Sequence, residues 1–423
     1  MIAGTDPRFA SLFSPRGIVV AGASTHPGKF GFVALHNILA AGFSGAVYAT
    51  NRDAEPVLGI DTVASVEELP EGEIDLAFVC TPAAANPEIL RQCATKGITA
   101  AFIASAGYRE AGDDGRQREN ELVALADELG ILLVGPNGQG LISTPASLCA
   151  QIVAPYPPTG RIGIASQSGN FVSSFMNWSQ HSDVGISRAV SAGNSAMLDV
   201  TDVLDHFAHD DETAVALTYV ESIKDGRAYY DRVRTVAADI PVVVIKGGAS
   251  SVGARAAASH TGALAADDAV FTGACRQAGI TRAATVEEAF EAAATFATQP
   301  LPRGNRVLVL TTAGGWGVVT ADAIAGTDLE LATLPEDLLT ALDGKLPPRW
   351  SRNNPVDLAG GETRDTIPEV MDLIVAHDGV DAVIFLGLGI QSNLAAMERS
   401  GPFHPGHGLE RIVEYHELSL IHI

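Results

Sequence analysis

The sequence predicts an α/β protein built mainly from parallel sheets, and three observations carry that expectation. Three segments, 16–24, 161–169 and 306–315, open alike: an arginine, a short β-rich apolar run, a turn of small residues, then a helical pattern. Each run is continuously apolar rather than alternating, as in strands covered on both faces. Proline-rich joints at 155–158 and 299–302 separate the segments, as exposed linkers do. Three Rossmann-like or flavodoxin-like domains are therefore expected, over residues 1–150, 151–300 and 301–423.

In the first segment, 16–21, 45–50, 76–80, 100–103 and 132–134 read as strands, while Val33, Leu35, Ile38 and Leu39 stand at helical spacing. In the second, strands are expected at 161–166, 214–220 and 242–245, and in the third at 307–310 and 382–386. The apolar end 418–423 follows no helix or turn signal, and no function attaches to it.

At 423 residues the chain exceeds one ordinary core, and its 47% hydrophobic content suits globular α/β domains. No apolar run reaches the roughly 20 residues a membrane helix needs, and the N-terminus lacks the regions of a signal peptide, so a cytoplasmic protein is expected. Cys80, Cys93, Cys149 and Cys275 are scattered without a CxxC pair, against zinc and against a disulfide framework. A formal charge of −23 without a basic patch disfavours nucleic acid and anionic membrane, but not a small anion held locally.

The first turn, Gly22-Ala23-Ser24, lacks the second glycine of a dinucleotide fingerprint, and the next strand ends in Asn51 instead of an acidic residue. A nicotinamide cofactor is disfavoured on both counts. Lys29 and the N–H groups opening the following helix suit a phosphate. The second turn, Ser166-Gln167-Ser168-Gly169, and the third, containing Gly314 and Gly315, each put a helix N-terminus after a strand, where backbone N–H groups and dipole favour an anion.

His260 stands between hydroxyls and glycine in Ser259-His260-Thr261-Gly262, after a loop of glycine, alanine and serine that offers nothing to bury a ring. Two readings stand: a cap for a helix starting near Ala263, or a nucleophile in a mobile loop. Glu221 closes the apolar run 217–220, at the strand end where parallel sheets carry functional groups, and is either a surface carboxylate or a partner that orients the imidazole.

Together these residues resemble the NDP-forming acyl-CoA synthetases, the group of ADP-forming acetyl-CoA synthetase, related to succinyl-CoA synthetase. The resemblance runs from about residue 14 to about residue 390. It is most specific at Lys246-Gly247 and Ser259–Leu264, similar to the phosphohistidine loop of that family, and is supported by Gly135–Gly140, Ser166–Gly169, 219–226 and 354–358. It implies a CoA-binding first domain with contacts at Gly22, Ala23, Ser24, Lys29, Asn51, Pro82 and Asn137. It further implies a phosphate site at Ser166, Gln167, Ser168, Gly169, Gly314 and Gly315, with His260 and Glu221 as catalytic residues and no metal bound by this chain.

The implied reaction interconverts acyl-CoA, phosphate and ADP with carboxylic acid, CoA and ATP through an acyl phosphate and a phosphohistidine. Nucleotide and Mg²⁺ would enter through an ATP-grasp domain, of which the sequence shows no sign, so a beta subunit or a C-terminal continuation is expected, and an oligomer with it. Gly138-Gln139 and Trp316 depart from the pattern of the family and bear on substrate fit. The competing classes are a non-catalytic CoA-binding regulatory module, against which His260 speaks, and an NAD(P)-dependent dehydrogenase.

Overall fold

A computed structural model describes residues 2–153, 156–250, 252–253, 267–358 and 366–387. They fall into two compact units, Met1–Gln299 and Pro300–Ile423.

The first unit opens with a short helix, α1 (Arg8–Phe13), and a six-stranded sheet formed by β1 (Gly17–Ala21), β2 (Ala46–Thr50), β3 (Thr62–Val63), β4 (Leu76–Val79), β5 (Ala100–Ile103) and β6 (Leu132–Val134). The order is β3-β2-β1-β4-β5-β6, and every pairing is parallel. Strands β1, β4, β5 and β6 are buried at every residue, which explains their unbroken apolar sequences. Helices α2 (Phe30–Ala40), α3 (Asn86–Thr95) and α4 (Asp113–Glu128) connect the strands. In α2 the buried stripe is Gly31, Ala34, Leu35 and Ile38, whereas Leu39 reaches solvent. The order in which strands are added reverses between β1 and β4, and ligands of open parallel sheets bind at that switch point, beyond the strand C-termini.

A hairpin of β7 (Gly140–Ser143) and β8 (Leu148–Gln151) leaves this sheet for the next one. There β7 pairs antiparallel with β10 (Ile186–Ser191), beside β9 (Thr159–Ser166), β11 (Val215–Val220), β12 (Val242–Lys246) and β13 (Thr281–Ala283). The order is β13-β12-β11-β9-β10-β7-β8. The first segment was expected to extend to residue 150, but the ladder changes sheets before Gly140, since 140–151 find their partners in β10 and in each other. Helices α5 (Gly169–Ser182), α6 (Val200–Phe207), α7 (Gly226–Asp239), α8 (Asp268–Ala278) and α9 (Val286–Thr298) cover the second sheet.

In the second unit, β14 (Arg306–Thr311) pairs along its length with β17 (Ala382–Leu386) and on its other side with β15 (Glu330–Leu331) and then β16 (Val356–Asp357), all parallel. Asn354 bridges the gap between β15 and β16: its amide donates to the Val307 and Ala332 carbonyls and accepts the Val309 N–H. Helices α10 (Gly314–Ala325), α11 (Glu336–Asp343) and α12 (Thr366–Val375) complete the described part. No helix of the described residues is long and apolar enough to cross a membrane.

Candidate functional site

The first turn sits at the C-terminal end of β1. Gly22 adopts φ 87°, a conformation that favours glycine, with its N–H on the Thr50 hydroxyl at 3.2 Å. A Cβ on Gly22 would press on the Thr81 side chain at 2.8 Å, and one on Gly31 would collide with the Gly22 carbonyl. The glycines thus let α2 descend onto the turn. Asn51 secures it from the neighbouring strand: its amide donates to the Ala23 carbonyl at 3.0 Å and accepts the Asp53 N–H at 2.9 Å.

Ser24 accepts the His26 N–H, and Lys29 caps α2 in extended conformation with an exposed side chain that forms no ion pair among the described residues. Across the switch point, Pro82 follows β4 and is exposed. Buried Asn86 behind it bonds the Thr81 and Ser105 hydroxyls and the Tyr108 phenol. Asn137, exposed at φ 62°, follows β6 and reaches Asn194 at 3.3 Å. All seven expected CoA contacts therefore lie beyond the C-terminal edge of one sheet.

The second turn is more tightly built. The Ser166 hydroxyl donates to the Ser168 carbonyl at 2.7 Å and accepts the Ser168 N–H at 3.1 Å, which shapes the entry to α5. Ser168, the N-cap, makes no side-chain capping bond, so the first N–H groups of α5 receive no acceptor from it. Gln167 reaches sideways to the end of β11. Its Oε1 accepts the Glu221 N–H at 2.7 Å and the Ser222 N–H at 3.0 Å, and its Nε2 donates to the Ser222 carbonyl at 2.9 Å. One side chain thereby locks Glu221 to the head of α5.

Glu221 also receives the Tyr219 phenol. Burial, then the charge of Glu221 and that hydrogen bond, push the Tyr219 pKa above its ordinary value, so the phenol stays a donor. The Tyr219 ring is fixed by stacking on Phe171 at 3.8 Å. Gly247, where the chain leaves β12, passes over this pair: a Cβ there would lie 2.5 Å from the Tyr219 hydroxyl and 3.3 Å from Glu221 Cγ. His260 lies outside the described residues; the start of the loop that leads to it, at Gly247, runs beside Glu221.

Two contributors have no part in this turn on the sequence alone, where Gln139 stands only as a departure from the family pattern that bears on substrate fit. Gln139 covers the start of α5, where a Cβ on Gly169 would run into its side chain, and it bonds Asn170 at 2.9 Å and Ser173 at 3.0 Å. Tyr219 is the other, because an apolar strand context gave no sign that its hydroxyl faces a carboxylate. The thiols are not contributors: burial pushes Cys80, Cys93 and Cys149 up to about 12 and Cys275 up to about 11.

Gly314 and Gly315 belong to the second unit. The hinge there repeats that of the second turn, with the Thr311 hydroxyl donating to the Ala313 carbonyl at 2.8 Å and accepting the Ala313 N–H at 2.9 Å. Asp357 occupies the mouth: its Oδ2 sits where a Cβ on Gly314 would point, while Gly315 faces open space.

A match to a CoA binding domain over residues 16–143, to a succinyl-CoA-ligase-like flavodoxin domain over 159–296 and to a ligase-CoA domain over 307–390 defines the class as CoA-dependent acid–thiol ligases. The alpha subunit of ADP-forming acetate–CoA ligase II of Pyrococcus furiosus is 38% identical over 88% of this chain and 81% of its own length. ADP-forming acetate–CoA ligase I of Archaeoglobus fulgidus is 38% identical over 88% of this chain, which spans only 54% of that relative. The solved dinucleotide-forming acetyl-coenzyme A synthetase 1 of Ca. Korarchaeum cryptofilum, in complex with phosphate and ADP, superposes with a TM-score of 0.86 at 32% identity, covering 97% of this chain and 92% of that one. The chain belongs to the NDP-forming acyl-CoA synthetases and corresponds to the part that their alpha subunits carry.

Proposed function

We propose that this chain is the CoA- and phosphate-handling part of an ADP-forming acyl-CoA synthetase. The observation that carries the reading is the Gln167 clamp, which joins an uncapped helix N-terminus to the carboxylate beside the loop that leads to His260. The seven residues from Gly22 to Asn137 hold CoA at the switch point, and CoA supplies the thiol that the acyl group enters or leaves. Phosphate, held by Ser166, Gln167, Ser168 and Gly169 at the head of α5, attacks the thioester carbonyl and releases the thiol. His260 then attacks phosphorus with its unprotonated nitrogen, releasing the carboxylate, and Glu221 accepts a hydrogen bond from the N–H of the ring. The dipole of α5 stabilises the transferring phosphoryl charge. In the second unit, Gly314 and Gly315 offer a further anion contact. The phosphoryl group passes to ADP, with Mg²⁺, on an ATP-grasp partner or continuation.

The test is intact mass of the complex with the ATP-grasp part after incubation with acyl-CoA and phosphate. One acid-labile phosphoryl group at His260 is expected, absent in His260→Ala, whose turnover falls about 10⁴-fold or more. A His260→Ala complex that still forms ATP near the wild-type rate would eliminate the relay. The same incubation with different acyl-CoAs reads out the acyl preference.

A further inference from the structure

A cavity of about 290 Å³ opens at the C-terminal edge of the second sheet, between the first turns of α6 and α7 and the segment leaving β11. It borders the clamp through Gln167 and Ser222, yet the residues that shape it are otherwise distinct from those of the α5 turn. Two of its lining residues carry buried hydroxyls with no hydrogen-bond partner among the described residues: Ser195, 2% exposed, and Tyr229, 8% exposed. Polar groups in that state are costly unless something else satisfies them. Burial first, then nearby negative charge, raises the Tyr229 pKa, so its hydroxyl remains a donor.

The charges of the cavity are not equivalent. Arg232 is neutralised by Asp202 and Asp205, and Arg109 pairs with Glu119 and donates to the Asn194 carbonyl. The carboxylates of Asp199 and Asp225 accept the N–H groups of their own helices. Lys224 differs: its ammonium donates to the Ser195 carbonyl at 2.8 Å and has no carboxylate within ion-pair distance among the described residues. Burial, then the repulsion of Arg109, hold its pKa below the ordinary lysine value and outweigh the more distant charges of Asp199, Glu119 and Asp202. One unpaired ammonium and two unpaired hydroxyls call for a small anion rich in acceptors. The volume lies at the lower bound of ligand pockets, which suits a small ligand.

We propose that this cavity binds a small oxyanion, a carboxylate or phosphate, between the Lys224 ammonium and the hydroxyls of Ser195 and Tyr229. The site is separate from the phosphate position at the head of α5 and depends on none of the catalytic steps above.

The test reads Lys224 directly. The full chain is labelled with an amine-reactive acetylating reagent, and the rate at Lys224 is followed by peptide mass spectrometry in chloride, inorganic phosphate or acetate at equal ionic strength. Lys345 in the second unit serves as the control. Phosphate or acetate should slow labelling of Lys224 by at least about threefold in a saturable manner, leaving Lys345 unchanged, and the more protective anion identifies the source. Tyr229→Phe should shift the protection curve to about tenfold higher anion concentration. Equal Lys224 rates in all three salts would overturn the proposal, as would a protection curve that Tyr229→Phe leaves unmoved.

Discussion

The turn after β9 and the turn after β14 share a hinge and differ in what faces them. In each, a strand-end hydroxyl, Ser166 or Thr311, bonds both the N–H and the carbonyl of the N-cap residue two positions on, and neither N-cap makes a side-chain capping bond. The first helix start meets the neutral amide of Gln139; the second meets the Asp357 carboxylate. A helix N-terminus is thus a general anion trap, and the neighbouring side chain decides whether an incoming anion finds it vacant or already neutralised. The contrast favours the turn after β9 over the Gly314-Gly315 turn as the main position of the proposed phosphate.

The largest effect expected from breaking the contrast is at Gln167. Gln167→Ala leaves the Glu221 and Ser222 N–H groups without their acceptor, destabilising the first unit by about 2–4 kcal/mol in chemical denaturation. Turnover with the ATP-grasp part should fall about 100-fold, because Glu221 loses its anchor. Gln139→Glu sharpens the contrast by giving the turn after β9 a carboxylate like the one that faces the turn after β14. Its KM for phosphate should rise about tenfold to thirtyfold with CoA affinity unchanged, and an unchanged KM would show that α5 does not hold phosphate.

Asp357→Asn is the reciprocal change. Loss of the charge facing α10 should lower stability by about 0.3–1 kcal/mol at low salt, an effect that added salt removes.

A smaller effect concerns the strand starts. Asp381 receives the backbone N–H and guanidinium of Arg306, whose hydrogen bonds and charge lower its pKa to about 2. A folded-state pKa below the unfolded carboxylate value stabilises above about pH 4 and loses that contribution as pH falls through about 2. Hydrogen exchange of the β14 and β17 peptides should therefore quicken over that window, and Arg306→Gln should make it equally fast at higher pH. Asp75 and Arg16 form the same latch at β1, where burial raises the carboxyl but the Arg16 bonds outweigh it.

The strand cores were legible because parallel strands buried on both faces announce themselves as apolar runs; β1, β4, β5, β11, β12 and β17 fall within a residue or two of expectation. β3, β13, β15 and β16 are two or three residues long, too short to show any period. β10 carries Ser187, Arg188 and Ser191, all buried, whose polarity hid a central strand: Arg188 is paired with Asp210, and the Ser187 hydroxyl bonds Thr213. At the site, the turns could be read from glycine and serine, but the Gln167 clamp could not, since its partners lie more than fifty positions away and are backbone groups.

The hairpin of β7 and β8 has a consequence for how the first unit melts. Residues 140–151 run on directly from the loop that carries Asn137, yet their strand pairing belongs to the other sheet while the Gln151 carbonyl accepts from Asn37 on α2, so neither sheet can come apart without disturbing the other. Heat or denaturant should therefore meet a single cooperative transition across both sheets. A ligand gripped at the edge of the first sheet would then slow amide exchange in β9 and β11 of the second, although it touches neither.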